Sequence, residues 1–265
     1  MISYSPLVTK FLIINLLVYL IQALGRFPLP DILGIHYLRS DAFEPFQFFT
    51  YMFVHGDFFH LFHNMFAVFM FAPAVEYVIG SQRFIVFYLV CGIGAGILYS
   101  IIQYFEVREL EIARDLFLSS PTLENFEHFI MIYSKDFSLL NEHQYHFVNK
   151  IIPKIISTPE GVQQAKTFVA NIFEMRSNVP MVGASGAVFG ILTAFGIIYP
   201  NLELLLFPIP IPIKAKYVVG AYVLWEIYAT INQNPYDNVA HIAHVAGAFL
   251  GFLMIYFWYF RRRRY

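Results

Sequence analysis

The sequence predicts an all-α, polytopic membrane protein: six transmembrane helices that carry a helical extramembrane insertion. Three observations predict it. Hydrophobic residues make up 58% of the 265 positions and charged residues only 13%, with a mean hydropathy of +0.58. Soluble domains carry roughly 45–50% apolar and about 25% charged residues, so this chain cannot coat a water-soluble globule. Six apolar runs of 15–22 residues recur along it, against the ~20 that span a hydrocarbon core about 30 Å thick. The charges, finally, are concentrated in one stretch between the third and fourth runs.

The first run is Leu7–Leu24. Lys10 precedes much of it, as in a signal peptide, but Gln22-Ala23-Leu24-Gly25-Arg26 offers no small-x-small cleavage site, so a retained helix is expected. Phe59–Val78 and Phe84–Phe105 follow. Residues 106–180 then hold seven of the 17 basic and ten of the 18 acidic residues, a local net charge of −3. Val107–Leu116 is charged with an apolar stripe, and Thr158-Pro159-Glu160 reads as an N-cap with proline at the first helical position. A soluble, mainly helical insertion is expected there, in an outward-facing loop. The fourth run is Ala184–Tyr199. Leu204–Pro212 is apolar as well, but Pro208, Pro210 and Pro212 forbid a regular helix, leaving a stiff connection. Tyr217–Ile231 and Val239–Phe260 complete the set. Residues 1–105 and 181–265 thus form the membrane core.

With six spans both termini share a side. Lys10, Arg83, Lys214, Lys216 and Arg261–Arg264 lie on it, against Arg26 and Arg39 opposite. By the positive-inside rule that side is cytoplasmic, and the expected location is the cell (inner) membrane. One cysteine, Cys91, cannot form an internal disulfide, and a net charge of −1 argues against nucleic acid as a partner.

Polar side chains inside spans are costly, and each is a functional candidate. His60 and Asn64 open the second span at i, i+4 and share a helix face; alone, they serve equally well as a polar pair gluing helices. Gly183-Ala184-Ser185-Gly186 sits at a loop-to-helix junction, where missing side chains bare the serine hydroxyl and first-turn N–H groups are free. Gly186 and Gly190 also make a small-xxx-small packing seam. The sixth span begins with His241 and His244, followed by Gly247 and Gly251 at matching spacing. Two histidines at i, i+3 suit a metal, a satisfied polar pair, or a base with its neighbour. Spans two, four and six all enter from the outer side, so the three clusters converge at one depth.

These motifs resemble the rhomboid family of intramembrane serine proteases. Phe49-Thr50 through His55-Gly56 is similar to the family's lead-in to the second span, His60-x-x-x-Asn64 to its oxyanion pair, and Glu76-x-x-x-Gly80-Ser81 to its turn into the third. Gly183–Gly186 matches the nucleophile motif. The last motif, Ala-His-x-x-Gly-x-x-x-Gly, fits Ala243-His244 with Gly247 and Gly251; from His241 the positions fall on His244 and Ala248. Phe46-Gln47 and Phe189 depart from members that carry Trp-Arg and Tyr there.

The resemblance implies hydrolysis of transmembrane protein substrates entering from the lipid, with no cofactor and no metal. Ser185 would be the nucleophile and His244 the general base. His60, Asn64 and the Ser185 backbone N–H would meet the oxyanion, with Gly183, Gly186, Phe189, His241, Gly247 and Gly251 in support. No carboxylate is evident in sequence to orient His244, since Asp237 belongs to the turn before its helix; packing against Phe189 is expected to hold the ring. The loop Asn232–Asn238 is an expected gate. The rival readings are a client-binding relative that does not cut and a metal site built from His60, His63, His241 and His244. Membrane lipids are partners under any of them. A transporter lacks its inverted repeats.

Overall fold

Apolar runs without internal breakers become helices, because a chain leaving water must satisfy every backbone N–H and C=O within itself. The computed structural model describes residues 5–25, 27–134, 142–205, 211–232 and 239–260. Its main helices are α1 (Pro6–Gly25), α2 (Phe58–Ile79), α3 (Ser81–Ser119), α4 (Leu123–Ser134), α5 (Pro159–Ser177), α6 (Ser185–Ile198), α7 (Ala215–Asn232) and α8 (His241–Ile255). Arg26, Arg261–Arg264, Asp237 and residues 233–238 of the gate expected at Asn232–Asn238 lie outside the described residues.

Each expected span coincides with a helix, but not all six helices are long and apolar enough to cross a membrane. Among the described residues four qualify: Pro6–Gly25, Phe58–Ile79, Ser81–Ser119 and His241–Trp258, with Ser185–Ile198 a shorter apolar helix. The fold is therefore an all-helical, multi-pass integral membrane protein. One small departure sits in the proline-rich connection. There β1 (Glu203–Leu205) pairs antiparallel with β2 (Pro212–Lys214), which suits prolines that cannot enter a helix.

Large apolar side chains cover the outside of the bundle. Leu17, Leu24, Phe62, Phe66, Phe69 and Phe252 are all exposed, as expected where the solvent is hydrocarbon. Inside, Val68, Ala72, Phe84, Phe87, Tyr88, Cys91, Ala95, Ala187 and Ala194 form one core. Small residues set its centre. A side chain on Gly247 would run into the Gly186 carbonyl, and one on Gly251 would lie 2.7 Å from the Gly190 Cα and carbonyl oxygen. α6 and α8 therefore pack backbone to backbone.

The third helix does not stop at Phe105. No glycine or proline follows, and Glu106–Leu110 is good helix-forming sequence, so α3 continues unbroken for 39 residues, roughly 58 Å at 1.5 Å per residue. That is about twice the hydrocarbon thickness. Its second half presents Val107, Leu110, Ala113 and Phe117 to a separate core with Phe126, Phe129, Ile130, Ile152, Ala165 and Val169. The 106–180 segment is thus anchored by a helix shared with the bundle.

A buried carboxylate joins this segment to the loop before α2. Glu111 accepts from Arg39 Nε at 3.0 Å and from Arg108 Nη1 at 2.8 Å, and Tyr37 donates to it at 3.3 Å. Burial first, then the Glu111 charge, push the Tyr37 hydroxyl up to about 12, so it remains a donor at neutral pH. Tyr37 itself belongs to the core of the insertion.

Three stability outcomes follow. Gly247→Ala should lower the thermal midpoint in detergent through overpacking worth about 1–3 kcal/mol. Gly220→Ala, where an added Cβ meets nothing within 4 Å, should leave it unchanged or raise it, because alanine is favoured by roughly 0.5–1 kcal/mol in a helix interior. Glu111→Ala should cost about 1 kcal/mol by leaving the buried Tyr37 hydroxyl without its acceptor, seen as faster limited proteolysis within 106–180.

Candidate functional site

The site is assembled from the first turns of three helices and the middle of a fourth. In α2, Asp57 caps the helix: its carboxylate accepts from the His60 backbone N–H at 2.8 Å. The cap fixes where the helix starts and so where the His60 ring stands. That ring packs edge-on to His55, 5.1 Å between centroids. Burial and the neighbouring His60 ring push His55 down to about 3, which keeps it neutral.

The loop before α6 is held on both sides. Ile35 and Met181 exchange backbone hydrogen bonds of 2.9 and 2.8 Å, and the Gly183 N–H donates to the Tyr51 carbonyl at 2.9 Å. Gly183 has φ +117°, and an added Cβ would lie 2.5 Å from His60 Nε2. Glycine is required there on both counts. The turn delivers Ser185 as the first residue of α6.

α8 begins at His241. One turn in, His244 is 8% exposed, and its Nε2 lies 2.8 Å from Ser185 Oγ. Phe189 stacks on its ring at 4.4 Å and 11°. The backbone proximity of α6 and α8 through Gly186 and Gly247 brings these groups within reach.

The sequence expectations meet their correction at the other ring nitrogen. Glu226, in the middle of α7 and 3% exposed, places Oε2 2.9 Å from His244 Nδ1 and 2.6 Å from His241 Nδ1. A bare Ser185–His244 dyad, steadied by packing alone, was expected because no carboxylate was seen. Glu226 overturns that expectation. Ser185 and His244 do touch, but His244 belongs to a Glu226–His241–His244 cluster whose ligating atoms lie within 4.8 Å of one another. The reading as a serine endopeptidase working through an isolated dyad gives way to a metal-type cluster.

The metal set imagined from sequence also changes. His60 and His63 are not part of it; His63 is exposed on α2 and packs against Phe62. Asn64, placed at an oxyanion by the resemblance, donates its amide to the His60 carbonyl at 3.0 Å, on its own helix. Glu226 was nevertheless discernible. It is the sole charged residue between Tyr217 and Ile231, and an ionisable side chain within an apolar helix is a functional candidate by default.

Two imidazole nitrogens and one carboxylate oxygen form a donor set suited to zinc, which binds such atoms at about 2.0–2.2 Å and keeps a fourth position open when three come from protein. The carboxylate oxygen now stands at hydrogen-bond distance from both nitrogens, and the whole set lies within 4.8 Å.

Bundle and site together define a multi-pass helical membrane protein in which a half-buried serine adjoins a buried histidine and glutamate. The Rhomboid domain model matches residues 42–107 and 162–261, and the chain belongs to the rhomboid family. It is also 35% identical over 81 residues to the Saccharomyces cerevisiae protein "Rhomboid protein 1, mitochondrial". That match covers 30% of this chain and 22% of the yeast protein, so the chain spans about a fifth of that relative's length.

Local geometry at the α2 start is testable. Asp57→Ala should destabilise by about 1 kcal/mol through loss of the cap, while Asp57→Asn should retain most of it, both read from thermal unfolding in detergent.

Proposed function

We propose that this rhomboid-family protein binds a divalent transition metal, zinc foremost, through Glu226, His241 and His244. One observation carries the reading: a single buried carboxylate oxygen lies within 2.9 Å of the Nδ1 atoms of both histidines. A carboxylate in an apolar helix is costly unless paired, and this one faces two imidazole rings across a helix–helix contact. The chain acts as a membrane-embedded binding protein whose partners are lipids and transmembrane clients.

The finer topology belongs to the same reading. α6 and α7 cross alongside the four longer helices, and both termini face the cytoplasm, on the side richer in Lys and Arg. The metal cluster then lies near the outer face, within reach of ions there. The 106–180 segment projects from that face.

Purified protein, stripped with chelator in detergent, should take up one Zn²⁺ per chain by metal analysis and titration calorimetry. Glu226→Gln and His241→Ala should each weaken binding tenfold or more, whereas Ser185→Ala should stay within about twofold. Failure to bind zinc, or binding indifferent to Glu226→Gln, would overturn the reading. So would cleavage of a single-pass membrane reporter that is lost in Ser185→Ala yet insensitive to chelation.

A further inference from the structure

The 106–180 segment has a cavity of its own, about 780 Å³ in volume, lined by α5 and by residues of the helix Glu142–His146 and the π-helical turn Phe147–Ile151 after it. Cavities of this size hold ligands, and π-helical turns concentrate at functional sites. Its apolar lining is Phe147 and Phe168, both partly buried, with ring centroids 5.1 Å apart. Both rings pack against the core of the segment. Gln163, Gln164, Thr167 and Asn171 line it from one face of α5, and all four are exposed.

An exposed helix face ordinarily carries charged residues, and threonine and asparagine are among the weaker helix formers. Thr167 donates to the Gln163 carbonyl on its own helix at 3.0 Å. Among the described residues, nothing pairs with the side-chain amides of Gln163, Gln164 and Asn171. Each amide offers donors and an acceptor together. A bound helix satisfies its own backbone and an acyl chain has no polar groups, so either would leave these amides unused. A charged ligand would meet only His143 and Glu160. An extended peptide has the matching need, with one N–H and one C=O to satisfy at each residue. The spacing agrees as well. Side chains four positions apart on α5 stand about 6 Å apart along the axis, close to the ~6.7 Å between alternate residues of an extended strand. We propose that this cavity binds an extended, uncharged peptide segment of another protein. Gln163, Gln164 and Asn171 hydrogen-bond its backbone, and an apolar side chain packs on Phe147 and Phe168. The site shares no residue with Glu226, His241 and His244, and the inference does not rest on the metal reading.

The full chain in detergent micelles is titrated against a fluorescein-labelled, end-capped heptapeptide of alternating serine and leucine, followed by anisotropy. Binding should saturate at one peptide per chain. Gln164→Ala combined with Asn171→Ala should weaken it roughly tenfold with the thermal midpoint unchanged, since both side chains are exposed. The same peptide methylated on its backbone nitrogens should bind at least tenfold more weakly. A tenfold rise in salt should change the Kd by less than about twofold, and Glu226→Gln should bind as the wild type does. Absence of saturable binding would overturn the proposal. So would equal affinity for the methylated peptide, or equal affinity in the double variant. Displacement of the peptide by a lower concentration of the neutral sugar maltotriose would assign the cavity to carbohydrate and overturn it too.

Discussion

The closeness of two helix backbones is the constraint on which the rest depends. α6 and α8 meet through Gly186, Gly190, Gly247 and Gly251, where an added Cβ would strike backbone or a neighbouring side chain. In hydrocarbon no solvent-exclusion force draws helices together, so close van der Waals contact must do it. That contact is what brings a serine on one helix to 2.8 Å from a histidine on the other, 59 positions away. Loosening it by a single methyl would move Ser185 away from His244.

The second determinant is the scarcity of charge. In so apolar a bundle, a carboxylate at 3% exposure without partners would be prohibitively costly. Glu226 is tolerated because both histidines of α8 turn Nδ1 towards it. Two further buried acids are satisfied in similar fashion. Glu76 holds Ser5 and Ser81 at the opposite end of α2, and Glu111 gathers Arg39, Arg108 and Tyr37 where the insertion meets the preceding loop. Each ties together segments far apart in the chain, so the few polar residues define the contacts between helices that are otherwise greasy and interchangeable.

Most of the helical layout was legible, because apolar runs and breakers such as Gly80 and the prolines at 208–212 act locally. His244, the histidine that fits the motif the sequence resembles, is the one whose ring nitrogen stands 2.8 Å from Ser185. The extent of α3 was read short, since a change from apolar to charged composition signals a change of solvent and not a helix end. Glu226 escaped for a different reason: no local motif surrounds it, and its partners lie 15 and 18 positions onward, on another helix.

By itself the sequence determined the solvent of the fold, the positions of its helices and the identity of the polar residues that could not be idle. These are one-dimensional properties, set by composition, periodicity and the placement of glycine and proline. Only the tertiary structure decided what those polar residues form. Whether His244 belongs to a two-residue pair or to a cluster depends on which face α7 turns towards α8. That is settled by packing across three helices, and it leaves no periodic trace along the chain.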